Sequence, residues 1–144
     1  MNQNSDKELI ADIFKTAKMG MYASEIVLSK VKGHPIQRDI ESQYQVYSDT
    51  ARLAEKKLLK THLPPEETNP MQKAVLWGSI QMDTITDQSP CHIAEIMMNG
   101  STMGVVEMTK RLHEHPEASS DTQAFARDFI LKEEKNIEHL KKYL

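Results

Sequence analysis

Cysteine, long apolar runs and any strong excess of charge are what this chain of 144 residues lacks. Its one cysteine, Cys91, excludes an intramolecular disulfide and any multi-cysteine zinc site, and fits a reducing, cytoplasmic setting. Cys91 stands near a helix start, a place that lowers a thiol pKa. No catalytic partner accompanies it, so it is read as an ordinary small helix residue. No stretch approaches the roughly 20 consecutive apolar residues that span a bilayer, so membrane insertion is not expected. The polar segment Met1 to Lys7 lacks the basic and apolar regions of a secretory signal, and export by that route is not expected either. A formal net charge of -3 offers no broad basic field, which argues against nucleic acid or an anionic membrane as partner. Three phenylalanines stand against nine methionines, so the core is expected to be soft and adaptable, with its methionines packing and not binding copper. Alternation with β-branched residues is absent over any useful length, which leaves no convincing strand. A Gly-rich phosphate loop, a nucleophile elbow and a His-Glu-x-x-His motif are missing as well.

What the chain does have is helical periodicity. The first helix is expected over Ser5 to Lys32, with Ser5 as N-cap and Ile10, Ile13, Phe14, Ala17, Met21, Leu28 and Val31 recurring at helical spacing. It ends at Gly33, and the short His34-Pro35 link forces an antiparallel second helix to about Lys60 on the seam Ile40, Tyr44, Tyr47, Ala51, Ala54, Leu58. A polar connection, His62 to Asn69, contains Pro64 and Pro65. Asn69 and Pro70 then cap and open a third helix that uses Val75, Gly78, Met82 and Ile85 and runs to Asp87. Ser89 and Pro90 open a fourth, carrying Ile93, Ile96, Met97, Met103, Val106 and Leu112 to about Glu114. Pro116 marks the next turn, and Ser119 or Ser120 caps a fifth helix running nearly to Leu144.

One domain over residues 1–144 therefore holds a hairpin at 5–61, a crossover helix at 70–87 and a second hairpin at 89–144. At roughly 18 residues the third helix rises about 27 Å, enough to carry the chain from one end of a bundle to the other. The fourth helix then runs parallel to the second, an arrangement with one long crossover. An up-down five-helix bundle is the alternative.

Glu133 interrupts the apolar seam Ala126, Ile130, Glu133, Ile137, Leu140, Leu144 of the fifth helix. An ionised carboxylate in a bundle core needs a metal, a cation or hydrogen-bond donors, because an unpaired buried charge is too costly to keep. The second and fifth helices share one seam spacing, which places Tyr47 at the position equivalent to Glu133, and both hairpins turn at a His-Pro pair, a faint internal repeat. Counting from the two turns predicts a central polar layer of Glu25, Tyr44, Tyr47, Asn99, Glu133 and Asn136. Ser101, Thr102 and Asn99, with the tyrosine hydroxyls, are the expected partners of Glu133 in a buried network that sets helix register.

On these residues the chain resembles the ferritin-like superfamily, and within it the small bacterial bundles related to spore coat protein F. The stretches Lys18-Met-Gly-Met-Tyr-Ala-Ser-Glu25 and Glu133-Glu-Lys-Asn-Ile-Glu-His-Leu-Lys-Lys-Tyr-Leu144 carry the likeness. The resemblance implies an all-α, ferritin-like four-helix bundle with an additional crossover helix. Its metal-binding members use a Glu from each of two helices and Glu-x-x-His from each of the other two. Here the second helix reads Tyr44-x-x-Tyr47 and the fifth Glu133-x-x-Asn136, while the fourth offers Asn99 with Glu95 one turn away. The implied di-metal site is degenerate and no cofactor is expected. The function that follows is a non-catalytic structural or interaction protein, cytoplasmic or spore-associated. Its alternative is a metal-dependent oxidase, peroxidase or iron-handling protein, with iron or another divalent metal held by Glu25, Tyr44, Tyr47, Glu95, Asn99, Glu133 and Asn136. A small apolar ligand between the helices is a third option.

The other motifs are read as structural. His113 and His115 end the fourth helix, where imidazolium suits the helix dipole. His139 belongs to a solvated face, and His92 points away from its neighbour Cys91. Trp77 beside Gly78 is expected to be a packing anchor. Gly100 and Gly104 imply a crowded surface on the fourth helix, since an exposed glycine costs about 1 kcal/mol relative to alanine. That surface is the expected interface for a homo-oligomer or another protein.

Overall fold

A computed structural model of the chain describes residues 3–61 and 69–144. The polar connection expected at 62–69 lies outside the described residues except for Asn69. Among the described residues the fold is all-helical, with no strand: α1 (Gln3–Leu28), α2 (Ile36–Lys60), α3 (Pro70–Asp83), α4 (Pro90–Glu114) and α5 (Ser120–Leu140), followed by a short 3-10 turn, Lys141–Tyr143.

Three of the helix starts follow their capping residues. Asn69 accepts from the Met71 N–H at 2.8 Å, Ser89 from that of His92 at 3.2 Å, and Ser119 from that of Thr122 at 3.2 Å. Pro70 and Pro90 occupy first turns, where a missing N–H costs nothing. Ser5 is not a cap, because α1 already begins at Gln3. The first helix also stops earlier than expected, at Leu28, and the turn closes through Gly33 at a φ of 86°, a conformation that suits glycine. α3 ends at Asp83, four residues short of expectation, where Thr84 turns its hydroxyl back onto the Ile80 carbonyl at 2.8 Å.

Contacts between helices fix their directions. Tyr44 reaches Glu25 across the first hairpin, so α1 and α2 are antiparallel. His115, Arg111 and Met108 of α4 meet Glu8, Asp12 and Thr16 of α1 in that order, so α4 runs against α1 and along α2. On the far side Lys57 lies over the Phe125 ring, Tyr47 meets Glu133, and Asp39 meets Lys142, so α5 runs against α2. The two hairpins, α1 with α2 and α4 with α5, form the most extensive packing.

α3 stands outside these four helices and lies along the second half of α1. Lys73 sits over the Tyr22 ring at 5.6 Å and Lys30 donates to Gln81 at 2.8 Å, so the two helices run the same way. Its 14 residues rise about 21 Å, less than the length of its neighbours, and it begins at mid-height of the bundle. The face expected to be its core seam is the wrong one. Ile80 is its buried side chain, with Thr84 buried at the C-cap, while Val75 and Met82 face outward, Trp77 is half exposed, and Ile85, past the helix end, is exposed. α3 carries two apolar faces, and periodicity alone does not say which one turns inward.

The inner lines of α2 and α5 are likewise shifted by one residue, at one place on α2 and at two on α5. On α5 the buried line is Thr122, Ala126, Phe129, Glu133, Asn136, Leu140, with Ile130 and Ile137 as half-buried flanks. On α2 the line passes through Gln43, not Tyr44. The spacing expected from the sequence holds, and Glu133 is on the line in both readings. The core falls into two apolar clusters. One gathers Leu9, Ile13, Phe14, Leu58, Met108 and Phe129 at one end of the bundle, and the other gathers Val27, Val31, Ile36, Ile40, Ile93 and Leu140 at the opposite end.

Candidate buried polar site

Between the two clusters lies a layer of polar side chains contributed by α2, α4 and α5. Glu133 is 2 % exposed. Its Oε1 accepts from the Tyr47 hydroxyl at 2.6 Å, from Gln43 Nε2 at 2.8 Å and from Ser101 Oγ at 3.5 Å. Ser101 in turn accepts from Asn136 Nδ2 at 2.9 Å, so the chain of bonds crosses from α5 to α4 and back.

The other carboxylate oxygen of Glu133 is packed against a glycine. A Cβ added at Gly104 would lie 2.4 Å from Oε2, and one added at Gly20 would lie 2.5 Å from the Tyr47 ring. Each hairpin thus places a glycine on its first helix beneath the large polar side chain of its second. The buried positions of α1 and α4 correspond around these glycines, with Leu9, Ile10, Ile13 and Ala17 answering to Ile93, Ala94, Met97 and Ser101. The repeat faintly visible in the sequence is a repeat of packing, and its two halves meet where Tyr47 donates to Glu133.

Burial pushes the Glu133 carboxyl up from its ordinary 4.5 to about 7, while donation by Tyr47, Ser101 and Gln43 pulls the other way. The Tyr47 phenol is also pushed up, first by burial and then by the carboxylate it faces. It therefore stays a donor throughout the neutral range.

Of the residues expected in the layer, Tyr47, Glu133 and Asn136 are there, and Ser101 takes the partner role foreseen for it. Glu25, Tyr44 and Asn99 are not. Glu25 is exposed and accepts from Tyr44 at 3.3 Å on the surface, because the inward position of that turn belongs to Ser24. Asn99 is exposed two residues before the inward Ser101, and Thr102 is exposed too, with its hydroxyl donating to the Met98 carbonyl. Glu95 is exposed beside Cys91 and His92. Burial and the Glu95 carboxylate push the Cys91 thiol up, the reverse of the lowering that a helix start would bring. Gln43 was missed as a partner of Glu133, although its place seven residues after Ile36 and four before Tyr47 identifies it. Gly104 is interior, so it is not available as a subunit contact; Gly100 faces open space.

A di-metal centre of the bundle type draws four carboxylates and two imidazoles to one level. The layer provides one carboxylate, two amides, a phenol and a hydroxyl, and the carboxylate oxygen that receives donors already has three. Among the described residues no group of three or more His, Cys, Asp or Glu side chains is placed to hold a metal ion. These donors do not fit a di-metal centre. They fit a hydrogen-bonded clamp that joins three helices at one register.

The raised carboxyl has a consequence for stability. The folded chain holds the Glu133 proton more tightly than the unfolded chain, so the contribution is greatest below about 4.5, falls as pH rises toward about 7 and is level above it. Stability of Glu133→Gln relative to the parent is therefore expected to climb by on the order of 3 kcal/mol across that window. Urea unfolding of both chains at a series of pH values measures it, and a difference independent of pH would contradict the assignment.

The glycines give a second expectation. Gly100→Ala meets nothing within 4 Å and is expected to stabilise by up to about 1 kcal/mol. Gly20→Ala, pressed on a rigid ring, is expected to destabilise by roughly 1–3 kcal/mol. Gly104→Ala is expected to fall between them, because a carboxylate can shift where a ring cannot. Thermal melts of the three variants would show whether this order holds. Comparison with protein-family models, with curated proteins and with solved structures finds no match to this chain, so the site has to be argued from its own side chains.

Proposed function

We propose that the chain is a non-catalytic, ferritin-like helical protein that acts through protein contact, in the cytoplasm or in spore-associated material, and that its central site is a degenerate relative of a di-metal centre. The observation that carries this reading is that one oxygen of Glu133 is already fully engaged. Its Oε1 is engaged by Tyr47, Gln43 and Ser101 from two other helices, while Glu25 and Glu95, the carboxylates that a metal site would recruit, lie on the surface. Support for the ferritin-like comparison comes from two antiparallel hairpins with α2 and α4 running the same way and a separate helix in the connection between them. Support for a contact role comes from α3, on which four large apolar side chains, Met71, Val75, Trp77 and Met82, are exposed, against two on α2 and two on α4.

A buried acid bonded across helices has a known use in bundles, where a single polar group in the core selects one register and rejects others at some cost in stability. Here the clamp sets the levels of α2, α4 and α5 against one another. Chemistry at this layer would need an approach for substrate and a second reacting group. Among the described residues, the polar atoms of Glu133 and Tyr47 bond to each other and to amide and hydroxyl partners, with Gly20, Gly104 and Phe129 packed around them.

Reconstitution of the purified protein with ferrous iron in air, followed by elemental analysis and a visible spectrum, tests the reading. Iron well below one equivalent, without the absorption of a tyrosine-bound ferric ion, is the expected result. One equivalent or more that is lost in Glu133→Gln would replace this proposal with a metal-dependent oxidase, peroxidase or iron-handling protein.

A further inference from the structure

Every buried residue of α5 falls 86 positions after a buried residue of α2, from Thr122 after Ile36 through to Leu140 after Ala54. α4 answers to α1 at one constant separation as well, with Ile93 at the place of Leu9, Met97 at that of Ile13 and Gly104 at that of Gly20. Because α4 runs against α1 and α5 against α2, the operation that carries the first hairpin onto the second turns the bundle end for end. The core follows that operation. Leu9, Ile13 and Ala54 belong to one apolar cluster, and their counterparts Ile93, Met97 and Leu140 belong to the other. The two hairpins are therefore related by a two-fold axis, perpendicular to the helices and at the level of the polar layer.

On such an axis a residue meets its own equivalent. Tyr47 and Glu133 do so, at 2.6 Å. The seats beneath them are equivalent too, since Gly20 lies under the Tyr47 ring and Gly104 under the Glu133 carboxylate. The surrounding donors are not symmetric, with Ser101 answering to Ala17 and Gln43 to Phe129, but they reach both partners. Ser101 Oγ is 3.5 Å from the Tyr47 hydroxyl and 3.5 Å from Glu133 Oε1, and Gln43 donates to Glu133 while facing Tyr47.

A hairpin that met a second copy of itself on this axis would set like against like. Two first hairpins would crowd two rings into the space of one ring and one carboxylate. Two second hairpins would bury two carboxylates face to face, each without the tyrosine donor. Only the unlike pair brings one strong donor and one acceptor in the volume available.

We infer that Tyr47 and Glu133 are the pairing code of two equivalent hairpins, making the inner face of each fit the other hairpin and reject a copy of itself. Within one chain the code closes the bundle. Between chains it limits any exchange of hairpins to a first with a second. This goes beyond the setting of register, which concerns the level of a helix and not the identity of the face opposite it.

Thermal melts of the full chain at neutral pH, with far-ultraviolet circular dichroism reporting helicity, test the inference by exchanging the two side chains. Tyr47→Glu and Glu133→Tyr each create a like pair, and each is expected to lower the melting temperature by at least about 10 °C. The two together restore the unlike pair in the reverse sense, and that chain is expected to melt within about 5 °C of the parent. The glycines supply a second readout. In the exchanged chain Gly104→Ala meets the ring and Gly20→Ala the carboxylate, so Gly104→Ala is expected to become the more costly of the two, the reverse of the parent. A single variant that melts with the parent overturns the code, because a like pair is then accepted. An exchanged chain that is unfolded, or that melts no higher than the single variants, overturns the equivalence of the hairpins, as does an unchanged order of the two glycines.

Discussion

The 2.6 Å hydrogen bond from Tyr47 to Glu133 is the constraint around which the bundle is arranged. It joins α2 to α5 at the level where both apolar clusters stop, and every neighbouring feature makes room for it or supplies its remaining bonds. Ala17, Met97 and Ile40 are the last fully buried apolar residues before it on their helices, and Met108 is the first beyond it on α4. Gly20 and Gly104 keep the two flanking helices close enough to enclose the pair, since a methyl group at either position would occupy the space of the ring or of the carboxylate. Without the pair, the two glycines would line a void, which a packed core does not tolerate without loss. The small residues of α1 and α4 and the large polar residues of α2 and α5 therefore form one unit.

That unit is costly if incomplete. Removing a donor leaves a buried carboxylate short of a bond, and such losses exceed what a complete bond contributes. The return is specificity of register. A slide of α5 by one turn would carry Glu133 toward the apolar end formed by Phe14, Leu58 and Met108 or toward that formed by Val27, Ile36 and Ile40. Either placement desolvates a carboxylate without donors. Methionine-rich apolar cores adapt their packing readily and specify position poorly. A polar layer in mid-core supplies what such a core lacks.

Helix starts were legible in the sequence because capping is local chemistry. Asn69, Ser89 and Ser119 act through their own next turn, with no reference to the rest of the fold. The equivalence of Tyr47 and Glu133 was legible too, because it follows from spacing. What failed was phase. Counting residues from a turn gives the height of a side chain along a bundle but not its direction, and one residue of error turns it by about 100°. That error put Glu25 in place of Ser24 and Tyr44 in place of Gln43, and an error of two residues put Asn99 at the level that Ser101 fills. In α3 the failure was different, because two apolar faces satisfy the same periodicity and only the position of α1 selects between them. An apolar seam in a sequence is evidence of a partner, and the partner need not belong to the same chain.

The charge of Glu133 need not be constant for the clamp to hold. Its donors, Tyr47, Gln43 and Ser101, converge on Oε1, while Oε2 lies over Gly104. A carboxyl held near neutrality can therefore take its proton on the oxygen that receives none of these bonds and still accept all of them on the other. Tyr47 contributes to this indifference, because burial and the facing carboxylate keep its own proton in place. Ionisation then changes the energy of the layer without changing which atoms it joins. The register of the helices is preserved on both sides of neutral pH, although the stability with which it is held is not.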